Sequence, residues 1–473
     1  MTKQLTFILA DDVGRTPDTD RLLIRSHVMK GKNQKDTSRR SIRKAKQRKR
    51  TSLEQVGHTS AVNQCSHDHG ALQRKQLYDR AEERYNSALT IHRPVASELG
   101  LATLASHVDR EAQELLWKFF TYDWIDNDVF PMDRCVAVER HSFAEKFAWL
   151  CTDNTFLQFI ILASSFSQDF FQRQVMSETT SLQLQRTLKH LNRQLSSNNT
   201  RLRDSTLYVI VNLAWVADIS GDSQAAKVHM AGLEQLVHLR GGMQVLKSQK
   251  KLRVNVERFG FSWALSTGVV PTFMEAPLHW DSFFDRSWTL PEDDLPIPLN
   301  DAVFATIVRD FRCLVRIINE HARANRRLAN EVFLESVSSI QHRILHLPPM
   351  SHDRIADCLR LGMLAYLTTA FRVLGGTKRP YRHLTAQFKT QIQTLEPKTP
   401  FEMDILCWLV MVGVICLFDT KQQWLIPTWT VIIKKYPTWT ELRSRLYNIT
   451  WIGIIHDELG ETAFDELTRW VVR

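Results

Sequence analysis

The stretch DSQAAKVHMAGLEQLVHLRGG, residues 222–242, decides the fold. Asp222 is a residue type that caps helix N-termini. Ala226, Met230, Leu233, Leu236 and Val237 recur at spacings of three and four, and Arg240-Gly241-Gly242 supplies a stop. At 3.6 residues per turn the apolar side chains share one face, with Lys227, Glu234 and Gln235 on the other. His229 falls near the apolar face, Gly232 is expected to admit a neighbouring helix closely, and Gly241-Gly242 can end the helix at positive φ.

The same period extends outward. A second helix is predicted through Trp439, Leu442, Leu446, Ile449 and Ile452, started by Pro437. Apolar helices are further expected around Ala112 to Phe120, Phe156 to Phe166, Phe304 to Ile318, Ile355 to Leu374 and Ile405 to Phe418. The longest apolar runs, Leu207 to Ala217 and Ile405 to Phe418, fall short of the ~18 residues that span a bilayer, so they read as buried helices. No run of alternating strands joined by tight turns stands out. Residues 271–298 are too broken by proline for a helix and should cross the core irregularly, held by Trp280, Phe283, Phe284 and Trp288. The fold class expected is all-α: one large helical array over residues 96–473, preceded by a short motif over 1–29 and a basic, mostly disordered linker over 30–95.

Charge is distributed unevenly. Between Lys30 and Arg50 the chain places eleven Lys and Arg against one acid, Asp36, a local charge of +10 that equals the net charge of the entire protein. Such a block has nothing to bury and seeks a polyanion. Its densest part, Arg39, Arg40, Arg43, Lys44, Lys46, Arg48, Lys49 and Arg50, has the form of a nuclear-import or nucleic-acid patch. The expected partners are an import receptor and DNA or chromatin proteins. A membrane is not expected, because an electrostatic anchor needs a second signal such as a lipid chain, and no acylation or prenylation motif is present.

Chemistry is sparse. The seven cysteines are scattered, with no C-x2-C pair, which suits a reducing compartment and excludes a zinc cluster. No secretory signal is visible in the first 30 residues. The phosphate-cradling loop, the dinucleotide fingerprint, H-E-x-x-H and G-x-S-x-G are missing. Cys65, His67 and His69 alternate within the polar linker and lack a fourth ligand, so no metal is assigned to them. His456-Asp457-Glu458 reads as a solvated helix end. No catalytic residue, metal site or cofactor is expected.

Several of these segments resemble one family. Ile24-Arg25-Ser26-His27-Val28-Met29 followed by the basic run, the central His229 to Gly242 motif, and Arg258 to Phe273 with Ala264, Thr267-Gly268, Pro271 and Phe273 together resemble fungal-specific transcription factors lacking a zinc cluster. The resemblance implies an all-helical middle homology region, nuclear location and no catalytic residues. One departure is Gly260, where an acidic residue two places after Arg258 would fit the pattern. Two function classes follow. One is a nuclear regulator with a basic arm for import and DNA or partner binding. The other is a helical metabolite-binding protein or enzyme whose arm serves import alone.

Overall fold

The computed structural model describes residues 103–121, 132, 135–137, 142–172, 175–196, 202–275, 279–285, 287–297, 299–350, 352–370 and 381–471. All fall in the compact unit His92–Arg473. The basic tract, the Ile24 to Met29 motif and the Cys65-His67-His69 group lie outside the described residues.

Helices come first in number and in order. α1 (Arg110–Thr121), α2 (Ser142–Thr152), α3 (Asn154–Gln172), α4 (Glu178–Leu195), α5 (Asp204–Ile219) and α6 (Ser223–Leu239) form one group, with α3 against α4 and α5 against α6. α7 (Lys250–Thr267) leads from it and packs on α5, on α9 (Asn330–His346) and on α11 (Arg382–Thr394). α8 (Ala302–Arg323) lies against α9, which contacts α10 (Arg354–Leu367). α12 (Pro400–Cys416) is flanked by α10, α11, α13 (Ile426–Lys435), α14 (Trp439–Ile449) and α15 (Gly453–Val471). The only strands among the described residues are a two-residue parallel pair, Val136–Ala137 with Leu328–Ala329. The described residues therefore adopt the expected all-α class.

α6 follows its sequence closely. The Asp222 side chain accepts from Ala225 N at 2.9 Å, and Ala226, Met230, Leu233, Leu236 and Val237 are the buried face. Gly241 and Gly242 adopt φ of 96° and 88°; the amide of Gly241 donates to His238 O and that of Gly242 to Val237 O. These two bonds satisfy carbonyls that the helix end leaves open, and only glycine takes both left-handed positions without strain. Gly232 departs from expectation: no atom approaches within 4 Å of where its Cβ would stand, so no helix uses the space.

α12 is buried on all sides from Met403 to Val414, packed chiefly against other helices. Each buried Leu, Ile, Val or Met contributes about 1.5–3 kcal/mol relative to exposure. Glycine matters at its crossing with α10, where a Cβ on Gly362 would overlap the Trp408 ring. Trp408 in turn donates its indole N–H to Thr450 O at 2.8 Å, so its polar atom is satisfied inside the core. No helix among the described residues is long and apolar enough to cross a membrane.

Two predicted helices end early. The segment from Ile355 stops being α-helical at Leu367 and continues as a 3-10 turn over Thr368–Ala370; Phe371 to Leu374 lie outside the described residues. The segment from Trp439 ends at Ile449, because Thr450 is extended (φ −176°, ψ 132°) and turns the chain towards α15. Its start matches a capping box, in which Thr438 and Glu441 satisfy one another's amides.

Candidate functional site

The longest irregular connection between helices in the described region, the strap between α7 and α8, carries most of the unusual chemistry. Its aromatics do not hold it as expected. Phe284 is buried, but Trp280, Phe283 and Trp288 are 37%, 38% and 42% exposed. The rings form a chain, with Phe283 and Phe284 at 5.1 Å between centroids and Phe284 and Trp288 at 6.1 Å.

Charge holds the strap instead. Asp310 of α8, fully buried, accepts from Ser282 Oγ at 2.5 Å, Phe283 N at 2.8 Å and Arg343 Nη2 of α9 at 2.6 Å. Arg343 also donates to Asp281 O and Ser339 O. The pair is therefore saturated with bonds, the condition under which a buried ion pair is tolerated.

Further along, Arg309, Arg312 and Arg316 of α8, at spacings of three and four, all address the strap. Arg316 grips Asp293 in bidentate fashion, at 2.9 Å and 3.0 Å, and donates to Trp288 O. These bonds push its guanidinium pKa further up. Arg312 donates to Glu292 O and Asp293 O, and also to Asn448 O and Ile449 O at the C-terminus of α14. A cation there complements the negative end of the helix dipole. Arg309 meets Asp294 at 2.6 Å. Residues 288–294 thus run antiparallel along α8, and beside them lies an open groove of about 270 Å³ whose lining includes Leu295, Leu299 and Val308 together with Asp294 and Arg309.

The two halves of the motif discussed above meet at the start of this connection. Glu234 of α6 accepts from Thr272 N at 2.8 Å and from Thr272 Oγ1. Gly268 closes α7 in the left-handed conformation. Gly260 lies beneath the turn that follows: a Cβ there would stand 2.6 Å from Met274 Sδ and 2.9 Å from Phe273 Cε2. At this position the chain packs apolar atoms where an acid would fit the family pattern.

A second polar centre is internal. His456, expected at a solvated helix end, is 1% exposed. It lies in the first turn of α15, which the corner after α14 carries into the core. Its Nδ1 is 2.9 Å from Tyr366 Oη and its Nε2 3.0 Å from Thr369 Oγ1. Tyr366 Oη accepts from Ile452 N at 2.7 Å, and Thr369 Oγ1 donates to Tyr366 O. One proton arrangement satisfies all four groups: Tyr366 donates to Nδ1, and Nε2–H donates to Thr369. Burial holds the His456 pKa down to about 3, so the ring is neutral.

Of the residues proposed from sequence for import or nucleic-acid binding, Arg39, Arg40, Arg43, Lys44, Lys46, Arg48, Lys49 and Arg50, none lies in the described region. No group of three His, Cys, Asp or Glu among the described residues is arranged to hold a metal. The Cys313 and Cys358 thiols are pushed up to about 12, chiefly by burial, and so stay protonated. Sequence reasoning missed the strap's anchors, although two signals were available. Residues 275–301 carry seven acids against Arg286, and arginine recurs at 309, 312 and 316 opposite the apolar face of α8. Nothing local marked His456.

Residues 115–293 match the family model described as the fungal specific transcription factor domain, from within α1 to the strap's Asp293. The match bears out the resemblance drawn from the short motifs and points to a transcriptional regulator. No curated protein and no solved structure matches the chain significantly.

Proposed function

We propose that this chain is a fungal nuclear transcriptional regulator in which the helical array is the regulatory and interaction part. On this reading Arg39, Arg40, Arg43, Lys44, Lys46, Arg48, Lys49 and Arg50 form an arm for import and for DNA or partner binding. The observation that carries the reading is the family-domain match over residues 115–293, joined to a +10 tract in a chain whose other residues sum to zero charge. Phosphate contacts from such an arm position a protein on DNA without specifying sequence. The family-domain match also supports a non-enzymatic role on this reading.

Neutralising those eight residues tests it. A fluorescent fusion of the variant should lose nuclear accumulation. For about six phosphate contacts, wild-type log K should fall with log salt at a slope of roughly −5 and the variant's slope should approach zero. Normal accumulation of the variant, with salt-independent binding in the wild type, would overturn the role of the tract.

A further inference from the structure

The strap is acidic and aromatic, its residues 281–283, 288 and 292–294 are fastened by α8 and α9, and nothing in the proposed import arm uses it. From Glu275 to Asp301 the sequence holds seven acids and one base, a net charge of −6. Arg316 and Arg309 take up Asp293 and Asp294, and Asp301 caps α8 by accepting from Phe304 N. Glu275, Asp281, Asp285 and Glu292 remain on the surface with exposed side chains. Trp280, Phe283 and Trp288 are interleaved with them, each more than a third exposed although large aromatics gain most from burial.

We infer that this strap, with the groove beside it, is a docking surface for a Lys/Arg-rich extended segment of a protein partner. Charge complementarity selects the occupant. Carboxylates spaced along an extended chain pair with successive Lys or Arg side chains, and ring faces between them attract the same cations. Leu295, Leu299 and Val308 in the groove's lining can receive the methylene stems of those side chains, the groove's own cation, Arg309, being paired with Asp294. Nucleic acid and anionic membranes are disfavoured on this face by the same carboxylates. Rigidity adds to the argument: backbone carbonyls of Asp281, Trp288, Glu292 and Asp293 are fixed by Arg343, Arg316 and Arg312, so little ordering remains to be done on binding. The inference does not rest on the import arm, and either can fail alone.

The test uses the full chain and a short fluorescein-labelled peptide of alternating arginine and glycine, followed by anisotropy. Wild type should bind it at low salt and lose affinity as salt rises, and a matched glutamate peptide should not bind. The triple variant Asp281→Asn, Asp285→Asn, Glu292→Gln should weaken binding roughly tenfold, as expected for two or three lost charge pairs. Trp280→Ala with Trp288→Ala should weaken it roughly fivefold through lost ring contacts. Both variants alter exposed side chains, and unchanged thermal unfolding would show that they fold. Failure of the wild type to bind the arginine peptide, or equal binding by folded wild type and both variants, would overturn the inference.

Discussion

The Asp310 carboxylate and the Arg343 guanidinium meet at 2.6 Å with 0% and 1% of their side chains exposed, and between them they fix the strap's residues 281–283. Removing one partner leaves the other charge buried and unpaired. Arg343→Met or Asp310→Ala should each cost about 3–5 kcal/mol in denaturant unfolding, whereas changing both together should cost less than the sum of the two. Asp310→Asn keeps some bonds and should fall between. A loss below about 1 kcal/mol for either single change would mean that water reaches the pair.

His456 gives the fold a pH dependence of known sign. Its folded pKa of about 3 lies below the ordinary value of 6.5, so the unfolded chain takes up the proton first. The stability tied to its neutral form is complete above about pH 6.5 and is lost as pH falls towards 3, at up to about 1.4 kcal/mol per unit. His342, lowered to about 4 chiefly by burial, adds a loss of the same sign. His456→Asn should therefore flatten, without abolishing, the fall in unfolding free energy between pH 6.5 and 4, compared with wild type. Identical slopes would show that the ring is solvated.

Tyr366→Phe probes the same centre at neutral pH. It deprives Ile452 N of an acceptor and His456 Nδ1 of a donor. The expected cost is about 1–3 kcal/mol, larger than loss of an exposed hydroxyl. Denaturant midpoints at constant m-value would measure it.

Two glycines in the motif region should respond in opposite directions. Gly232→Ala places a methyl where nothing stands within 4 Å and improves helix propensity, so it should stabilise by up to about 1 kcal/mol. Gly260→Asp, the residue type the family pattern would supply, drives a carboxylate into Met274 and Phe273 and should destabilise by about 3 kcal/mol or more. Thermal scans of the two variants side by side would decide.

Leu233→Asp tests the buried face of α6 directly. Leu233 has no exposed surface, so an unpaired carboxylate there should cost several kcal/mol or prevent folding, on the order of the largest single-site effects. An unchanged melting temperature would place the core on the other side of the helix.

What the sequence made legible was whatever local periodicity determines. α6 from cap to double glycine, the all-round burial of α12 and the start of α14 could all be read, because each is decided by residues within a few turns of one another. His456 was misread because its environment comes from Tyr366 and Thr369, nearly ninety positions away, and from a corner at Thr450 that ends a helix whose apolar spacing continues to Ile452. The strap's irregularity is plain in its prolines, and its aromatics look like its fastening. Hydrophobicity alone suggests that choice; the arginines that decide the matter belong to the next two helices.

Those arginines bear on how the molecule can be taken apart. The family match stops at Asp293, yet the groups that hold Asp293 belong to α8, and through Arg312 the same place is fastened to the carbonyls of Asn448 and Ile449. A fragment cut at the edge of the match would leave the strap without its fastenings and would take Asp293 away from Arg316. For chimeras and truncations, the interchangeable unit is consequently not the recognisable domain but a span reaching at least through α14, and swaps between relatives should be joined beyond Ile449.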